Sequence, residues 1–240
     1  PSVVAYSGVQ YPSKVIDAWG VQTLNEMRML ALVAEKNGNV FVPHITLHGD
    51  QSFDARMGIT TRKVPDPKAK KGFRTEPSFA DPDVVEWSKD GSTTIPWRPW
   101  CYNCLHPKVQ AYLLDVVGEV AEMLGDAKSF GGVSLRIPLS WQFSGITGLN
   151  NANYGYGDWT VGEFAKDTGV SVPGAKDDPK RFRRRYDFLM SDAMRPAWLK
   201  WRNDRIKDYY RRVRSRLNPK GENRELYFMW WASSGSDDEM

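Results

Sequence analysis

Two aspartates stand where carboxylates could do chemistry. Asp158 lies in a polar and aromatic loop between a strand-like run and a helix start, and Asp50 follows an earlier strand-like run. Hydrolysis of a glycosidic bond uses two such carboxylates: one is protonated and donates, and the other is ionised and attacks the sugar or activates water. Aromatic rings such as Tyr156 remove water from a nearby carboxylate, which favours the protonated form. The sequence therefore predicts Asp158 and Asp50 as a catalytic pair.

Each of these aspartates also has a purely structural interpretation. Asp158 is suited to capping the helix that follows it, a position that aspartate favours. Asp50 follows a glycine, as many turn residues do. The nearby Glu163 is interpreted as half of a capping box with Thr160, and we do not count it as catalytic. The sequence leaves both interpretations of the two aspartates open.

Rings and polar side chains in loops suggest a surface that binds sugar. The chain has ten Trp, ten Tyr and ten Phe residues, most of which we expect in the core. Arg136 is a charge within an otherwise apolar strand, so it needs a partner, either a catalytic carboxylate or a structural one. The residues predicted to bind substrate are His48, Trp100, Tyr102, Asn103, Arg136, Trp141, Gln142, Tyr156 and Trp231.

Other chemistries find less support in the sequence. Cys101, Cys104 and His106 supply three soft ligands, but a structural zinc site needs a fourth, so no metal or cofactor is predicted. No phosphate-binding glycine loop and no Ser-His-Asp arrangement is recognisable. The arginine-rich runs 181–185 and 211–216 have core residues interleaved, which predicts solvated helix faces. A net charge of +4 is mild, and we do not expect a nucleic-acid partner.

The elements that would position these residues alternate between strands and helices. Capping-box spacings mark two of the helix starts, Thr23 with Glu26 and Thr160 with Glu163. The predicted strands are 2–9, 40–47, 132–139 and 225–231, and the predicted helices are 23–36, 107–124, 160–168, 180–194 and 196–217. Residues 51–106 form a long irregular excursion after the second strand. This order predicts an α/β fold with parallel strands, in which loops at the carboxyl ends hold the chemistry.

The number of strands suggests part of a larger architecture. We expect one domain over residues 1–240, since this length can bury a sizeable core. Four predicted strands are half of the eight in a closed (β/α)₈ barrel, so the expected fold is a barrel of the TIM type, partial or complete, or a smaller open sheet. We interpret the chain as a possible fragment, completed by the rest of a larger chain or by a second subunit. No segment has the length of a transmembrane helix, so no membrane partner is predicted. The sequence does not indicate in which cellular compartment the protein acts.

Two short motifs resemble those of a known enzyme class. Ser140-Trp141-Gln142 after the third strand and Asn153-Tyr154-Gly155 in the following loop are similar to the catalytic barrels of retaining glycoside hydrolases, the clan that includes family 42 β-galactosidases. The stretch 155–173 resembles uncharacterised bacterial hydrolases of that kind. In the clan, a glutamate between the asparagine and the tyrosine is the acid/base. Here Asn153 is followed directly by Tyr154, so that role is carried over to no residue.

The resemblance implies a bacterial carbohydrate-active barrel that acts on an oligosaccharide or polysaccharide. Together with the two aspartates, it predicts hydrolysis of glycosidic bonds by two carboxylates. A second hypothesis is a glycan-binding module that kept the cleft and lost catalysis, because the expected glutamate is missing. Neither hypothesis requires a cofactor.

Overall fold

A five-stranded sheet forms the centre of the chain. The structure is a computed structural model and describes residues 2–5, 8–9, 11–16, 25–47, 51–68, 71–94, 99–137, 146, 149 and 151–230. Its strands are β1 (Ser2–Ala5), β2 (Gly8–Val9), β3 (His44–Ile45), β4 (Ile59–Pro65), β5 (Phe73–Phe79), β6 (Gly132–Ile137) and β7 (Glu225–Trp230). Its helices are α1 (Glu26–Lys36), α2 (Gln51–Met57), α3 (Pro107–Leu124), α4 (Asp158–Thr168), α5 (Arg181–Leu189) and α6 (Arg195–Leu217).

The parallel strands of the sheet lie in the order in which they follow one another in the chain. The sheet runs β2-β1-β3-β6-β7, in which β1, β3, β6 and β7 are parallel and β2 is antiparallel to β1. Strands β4 and β5 form a separate antiparallel pair. The predicted α/β class with parallel strands is confirmed. The described residues do not form a closed barrel.

The two faces of the sheet differ in what covers them. Successive strand residues point to opposite faces, and the register places Ile45, Leu135 and Phe228 side by side on one face. Ile45 and Leu135 are fully buried there, and the ring of Phe228 lies 4.7 Å from that of Tyr210 in α6. On the opposite face Tyr227 is 46% exposed. Helix α6 therefore covers the first face.

Helix α3 supplies much of the core beside the sheet. The chain enters it through Pro107, whose missing N–H costs nothing at a helix start. The Nδ1 atom of His106 caps this end by accepting from the backbone N–H of Lys108 at 3.3 Å. The face predicted from the apolar spacing is buried, and it comprises Val109, Tyr112, Leu113, Val116, Val117, Val120 and Leu124. The predictions of α3 and of α6 are confirmed.

Arg224 fixes the direction of these two helices relative to the strands. Just before β7, its guanidinium donates to the carbonyl of Leu217 at 3.1 Å and to that of Gly125 at 2.9 Å. The carboxyl ends of α6 and α3 therefore lie at the amino edge of the sheet. With 23 residues, α6 is about 34 Å long, whereas a six-residue strand such as β7 spans about 20 Å. The first turns of α6 thus extend beyond the carboxyl edge.

Two predictions near the amino terminus are wrong in detail. The strand expected over 2–9 is divided into β1 and β2, which pair with each other. The helix expected to begin at Thr23 begins at Glu26, and Asn25 caps it by accepting from the N–H of Arg28 at 3.0 Å. Thr23 itself lies outside the described residues. An asparagine nearer the first turn provides the capping oxygen that the Thr23 spacing suggested.

The strand predicted over 40–47 is much shorter in the structure. Only His44 and Ile45 form β3, and Phe41 makes an isolated bridge to Phe130. Pro43 separates the two, because a proline has no N–H to give to the ladder. Its carbonyl still accepts from the N–H of Ser134 at 2.9 Å. Proline therefore limits the second strand of the parallel sheet to two residues.

The excursion over 51–106 is only partly irregular. It contains α2 and the hairpin of β4 and β5, so the expectation of a structureless segment is wrong for its first half. The two hairpin strands are mostly exposed and lack the alternation of apolar and polar residues that marks a half-buried strand. A cross-strand pair between Arg62 and Glu76, 2.8 Å apart, joins them. In the described part of the second half, residues 80–94 and 99–106, the one helical element before α3 is a short 3₁₀ turn, Pro82–Val84.

Helix α4 starts two residues earlier than predicted. Asp158 is its first residue, Gly157 occupies the N-cap position, and the cap comes from Asp83, whose Oδ1 accepts from the N–H of Trp159 at 3.1 Å. Thr160 is buried instead of capping, and Glu163 forms an ion pair with an arginine of α6. The capping-box interpretation is therefore wrong, because a distant carboxylate occupies the position that Thr160 was expected to fill.

Candidate functional site

Three loop segments pair with one another beyond the carboxyl edge of the sheet. We call segments 84–88, 101–104 and 153–157 the loop layer. The first segment is central: the N–H of Glu86 donates to Cys101 O at 2.7 Å, and that of Tyr156 donates to Trp87 O at 3.0 Å. Segment 101–104 lies just before the start of α3, and segment 153–157 belongs to the loop that follows β6. The loop layer therefore lies where parallel α/β folds place their active sites.

Glu86 lies at the centre of the loop layer and is 1% exposed. Its Oε2 atom is 3.9 Å from the Sγ atom of Cys101. Burying a carboxylate costs free energy, so such a group is usually paired or functional. Burial raises the pKa of Tyr154 and of Cys104, and the negative charge of Glu86 raises both further. Sequence reasoning missed Glu86, since it follows Val84 and Val85 in a segment without periodicity.

Arg202 of α6 lies beneath the loop layer and is 3% exposed. Its guanidinium carbon is 5.5 Å from the centre of the Trp198 ring. Gly155 has a positive φ of 103° and leaves room for it, because a β-carbon there would lie 3.4 Å from the guanidinium carbon. Burial raises the pKa of Tyr156 to about 12, while the positive charge of Arg202 acts in the opposite direction.

Asp158 is held by two arginines of α5. Its Oδ1 lies 2.7 Å from Nη1 of Arg185 and 3.3 Å from Nε of Arg181. Arg185 is 5% exposed and also donates to the carbonyls of Tyr156 and Gly174. The sequence interpretation stressed desolvation by rings, whereas the structure shows contacts with two arginines. Asp158 is the first residue of α4, at the end of the loop that follows β6, and its catalytic role stays a prediction.

Four of the predicted sugar-binding residues are buried in the loop layer or next to it. Tyr156 and Tyr102 are fully buried, and Trp100 is 4% exposed. The Tyr102 hydroxyl donates to the carboxylate of Asp54, and the Asn103 amide donates to Thr160 Oγ1 at 2.9 Å. In this conformation the four side chains pack the layer and do not form an open platform. Their contact with a substrate stays a prediction.

Arg136 lies on the sheet face opposite to α6, together with His44. The His44 Nδ1 atom is 3.2 Å from Ser134 Oγ. Burial lowers the pKa of His44, and the positive charge of Arg136 lowers it further. The residues His48, Asp50, Trp141, Gln142 and Trp231 lie outside the described residues. The structure therefore shows neither the predicted pair of aspartates together nor most of the predicted sugar contacts.

Both cysteines are buried free thiols, and burial raises the pKa of Cys104 well above its ordinary value, as for an unreactive thiol. Within the described ranges, no three His, Cys, Asp or Glu side chains are placed to hold a metal ion. None of the described helices is long and apolar enough to cross a membrane.

Glu86 lies in the loop layer, and Asp158, the first residue of α4, directly follows the third segment of that layer. Glu86 is buried with its Oε2 atom 3.9 Å from Cys101 Sγ, whereas Asp158 contacts two arginines of α5. Two carboxylates in unlike environments are a common basis for acid and base roles in one site. Compared with known proteins, the chain matches no family model, no curated protein and no solved structure.

Proposed function

We propose that the chain is a carbohydrate-active domain of the TIM-barrel type that hydrolyses glycosidic bonds with two carboxylates, Glu86 and Asp158. The buried Glu86 in the loop layer is the observation on which the proposal rests. A buried glutamate beyond the carboxyl edge of a parallel sheet lies where α/β folds place their functional groups. The motifs around Trp141 and Tyr154, which resemble those of retaining glycoside hydrolases, suggest that the function is performed on a sugar.

The order of the strands supports the barrel type. In β1, β3, β6 and β7 each parallel strand lies next to the one before it in the chain. Doubly wound open sheets reverse this order at a switch point, whereas barrels do not. The face of the sheet that bears Tyr227 would be the interior of such a barrel, where inward side chains are packed in layers.

The surroundings of the two carboxylates suggest their roles. Glu86, enclosed by the layer, would be the acid that protonates the glycosidic oxygen as the bond to the anomeric carbon breaks. Asp158, which faces Arg181 and Arg185, would take one of two roles. In a retaining route it would attack the anomeric carbon while Glu86 protonates the leaving sugar, and water, giving its proton to Glu86, would then cleave the bond between the sugar and Asp158. In an inverting route Asp158 would take a proton from the attacking water while Glu86 protonates the leaving sugar, and proton exchange with solvent would restore both carboxyl groups.

The test is hydrolysis of a panel of aryl glycosides and polysaccharides by the wild-type chain and its variants. Glu86→Gln should reduce kcat/KM by about 100-fold or more, the usual contribution of a general acid. Asp187→Asn is the matched control, since it removes an exposed carboxylate paired with Arg183. It should leave the rate unchanged. Full activity of Glu86→Gln, or no turnover by the wild type, would contradict the proposal.

A second candidate function is glycan binding without catalysis. The observation that favours it is the double ion pair of Asp158, because two guanidiniums reduce the ability of a carboxylate to attack carbon or accept a proton. Calorimetry with the same glycans would then show binding, and prolonged incubation would show no reducing ends. Slow hydrolysis by the pure wild-type protein, abolished in Glu86→Gln, would exclude this function.

A further inference from the structure

Arg202 differs from the other buried arginines because its guanidinium has no hydrogen-bond acceptor among the described residues. Its Nε and Nη2 atoms are fully buried, and among the residues that the structure describes the guanidinium makes no hydrogen bond and no ion pair. Arg185, at a similar depth, donates to two carbonyls and contacts Asp158. The difference therefore concerns the partners of Arg202 and not its burial.

An unpartnered buried cation lowers stability, and evolution retains it only where something offsets the cost. The face of the Trp198 ring offsets part of it, with the guanidinium carbon 5.5 Å from the ring centre. The Nε and Nη2 atoms, which form one edge of the guanidinium, have no hydrogen-bond acceptor among the described residues. The edge is the part of the group that binds a carboxylate in two parallel hydrogen bonds.

The surroundings of Arg202 place this edge against the loop layer. Its charge lowers the pKa of Cys104 in one outer segment and of Tyr156 in the other, against the effect of burial. Gly155 presents backbone and no side chain to the guanidinium. An anionic group bound there would lie in the same layer as Glu86.

We propose that Arg202 is a binding subsite for the carboxylate of an acidic sugar, so that the substrate is a uronide. The acidic group is inferred from Arg202 alone, and the sugar rests on the proposed function. The planar fork of arginine matches a planar carboxylate. Inorganic phosphate is the competing anion, and the titration below distinguishes it from a carboxylate.

The experiment is calorimetric titration of the wild type with uronide trisaccharides, each as the free acid and as its methyl ester, and with acetate and inorganic phosphate. The acid should bind at least about tenfold more tightly than its ester, which corresponds to one strong charge-assisted contact. Arg202→Met should abolish this preference, and Arg202→Lys should reduce it, since an ammonium lacks the fork. Arg183→Met, which removes an exposed arginine of α5, is the matched control and should retain it.

The outcomes separate this inference from the proposed function. If the wild type and Arg202→Met prefer the free acid over the methyl ester equally, Arg202 is not the carboxylate subsite. Tighter binding of phosphate than of the uronide would also contradict the subsite. Binding of neutral and acidic sugars with equal affinity overturns the subsite and leaves the proposed function standing. Acetate binding that Arg202→Met abolishes, with no sugar bound, supports the anion site and counts against the proposed function. If Arg202→Met does not fold, Arg202→Lys provides the same comparison.

Discussion

Arg224 and Arg202 are both buried beside an aromatic ring, at opposite ends of the sheet. Arg224 at the amino edge lies 4.9 Å from the centre of the Phe130 ring and donates to two helix-end carbonyls. Arg202, on the carboxyl side, has a similar ring contact and no acceptor among the described residues. The buried arginine at the amino edge therefore has hydrogen-bond acceptors, whereas the buried arginine beside the loop layer has none among the described residues.

If Arg202 binds a carboxylate as proposed, this difference separates a stabilising arginine from a binding arginine within one sheet. The carbonyls that Arg224 satisfies belong to the last turns of α3 and α6, which would otherwise lack partners. No such structural need explains Arg202, which makes its edge available in a layer that contains a buried carboxylate. In α/β barrels, residues at the amino end of the strands serve stability and those at the carboxyl end serve chemistry.

The largest expected effect is on stability at the amino edge. Arg224→Met should lower the free energy of unfolding by about 2–3 kcal/mol, because it leaves the buried carbonyl of Leu217 without its donor and removes the partly buried hydrogen bond to Gly125. Arg202→Met should leave this free energy unchanged or raise it, because it removes an unpartnered buried charge. Urea unfolding of both variants measures the difference. An equal decrease in the free energy of unfolding in both variants would show that the two arginines contribute equally to stability.

The next prediction removes the anionic partner of two arginines, Arg181 and Arg185. Asp158→Asn removes the anion that faces Arg185 and Arg181, so we expect a loss of about 1–3 kcal/mol in the free energy of unfolding. Asp187→Asn serves as the control, because its pair with Arg183 is solvated and contributes little. The same urea titrations apply. A loss no greater than that of the control would mean that α5 does not depend on Asp158.

A smaller effect is expected where the loop layer approaches Arg202. Gly155→Ala should cost about 1–2 kcal/mol, because its φ of 103° strains any side chain. Gly162→Ala, in an open position within α4, should instead stabilise by about 1 kcal/mol. Thermal unfolding distinguishes the two signs. A stabilised Gly155→Ala variant would contradict the crowded geometry at the guanidinium.

The smallest expected effect concerns pH at the start of α3, on the side of the loop layer. Burial lowers the pKa of His106 from its ordinary value of 6.5. As pH falls below about 6.5 the unfolded chain takes up the proton first, so stability decreases until the pH passes the folded pKa. His106→Asn retains a capping side chain that does not titrate. Between pH 7 and pH 5 the free energy of unfolding should therefore fall more for the wild type than for His106→Asn, by less than about 1 kcal/mol. An equal pH dependence of the two proteins would exclude a contribution of His106 titration to stability.

Local patterns in the sequence predicted the elements whose stabilising contacts are close in the chain. The spacing of Val109, Leu113, Val116 and Val120 is sufficient for α3, because one face of a helix is set within a few turns. The strand β6 follows from its run of apolar residues. The hairpin of β4 and β5 was missed, since its exposed strands lack a hydrophobic pattern and are joined by a ladder and by Arg62 with Glu76.

The candidate site was harder to predict because its contacts are distant in sequence. Glu86 is buried only because segments near residues 101 and 154 pair with it on either side. Asp158 was predicted as a catalytic carboxylate from its loop, but its partners Arg181 and Arg185 lie a helix away, in a run that the sequence suggested was solvated. Nothing in the periodicity of α6 distinguished Arg202 from its exposed neighbours.

The most direct test of the account is a crystal structure of Glu86→Gln with a bound uronide trisaccharide. We predict a sugar carboxylate within about 3 Å of the Arg202 guanidinium, and a glycosidic oxygen within hydrogen-bond distance of residue 86. A trisaccharide bound away from the loop layer, with Arg202 still enclosed and unpartnered, would contradict the account.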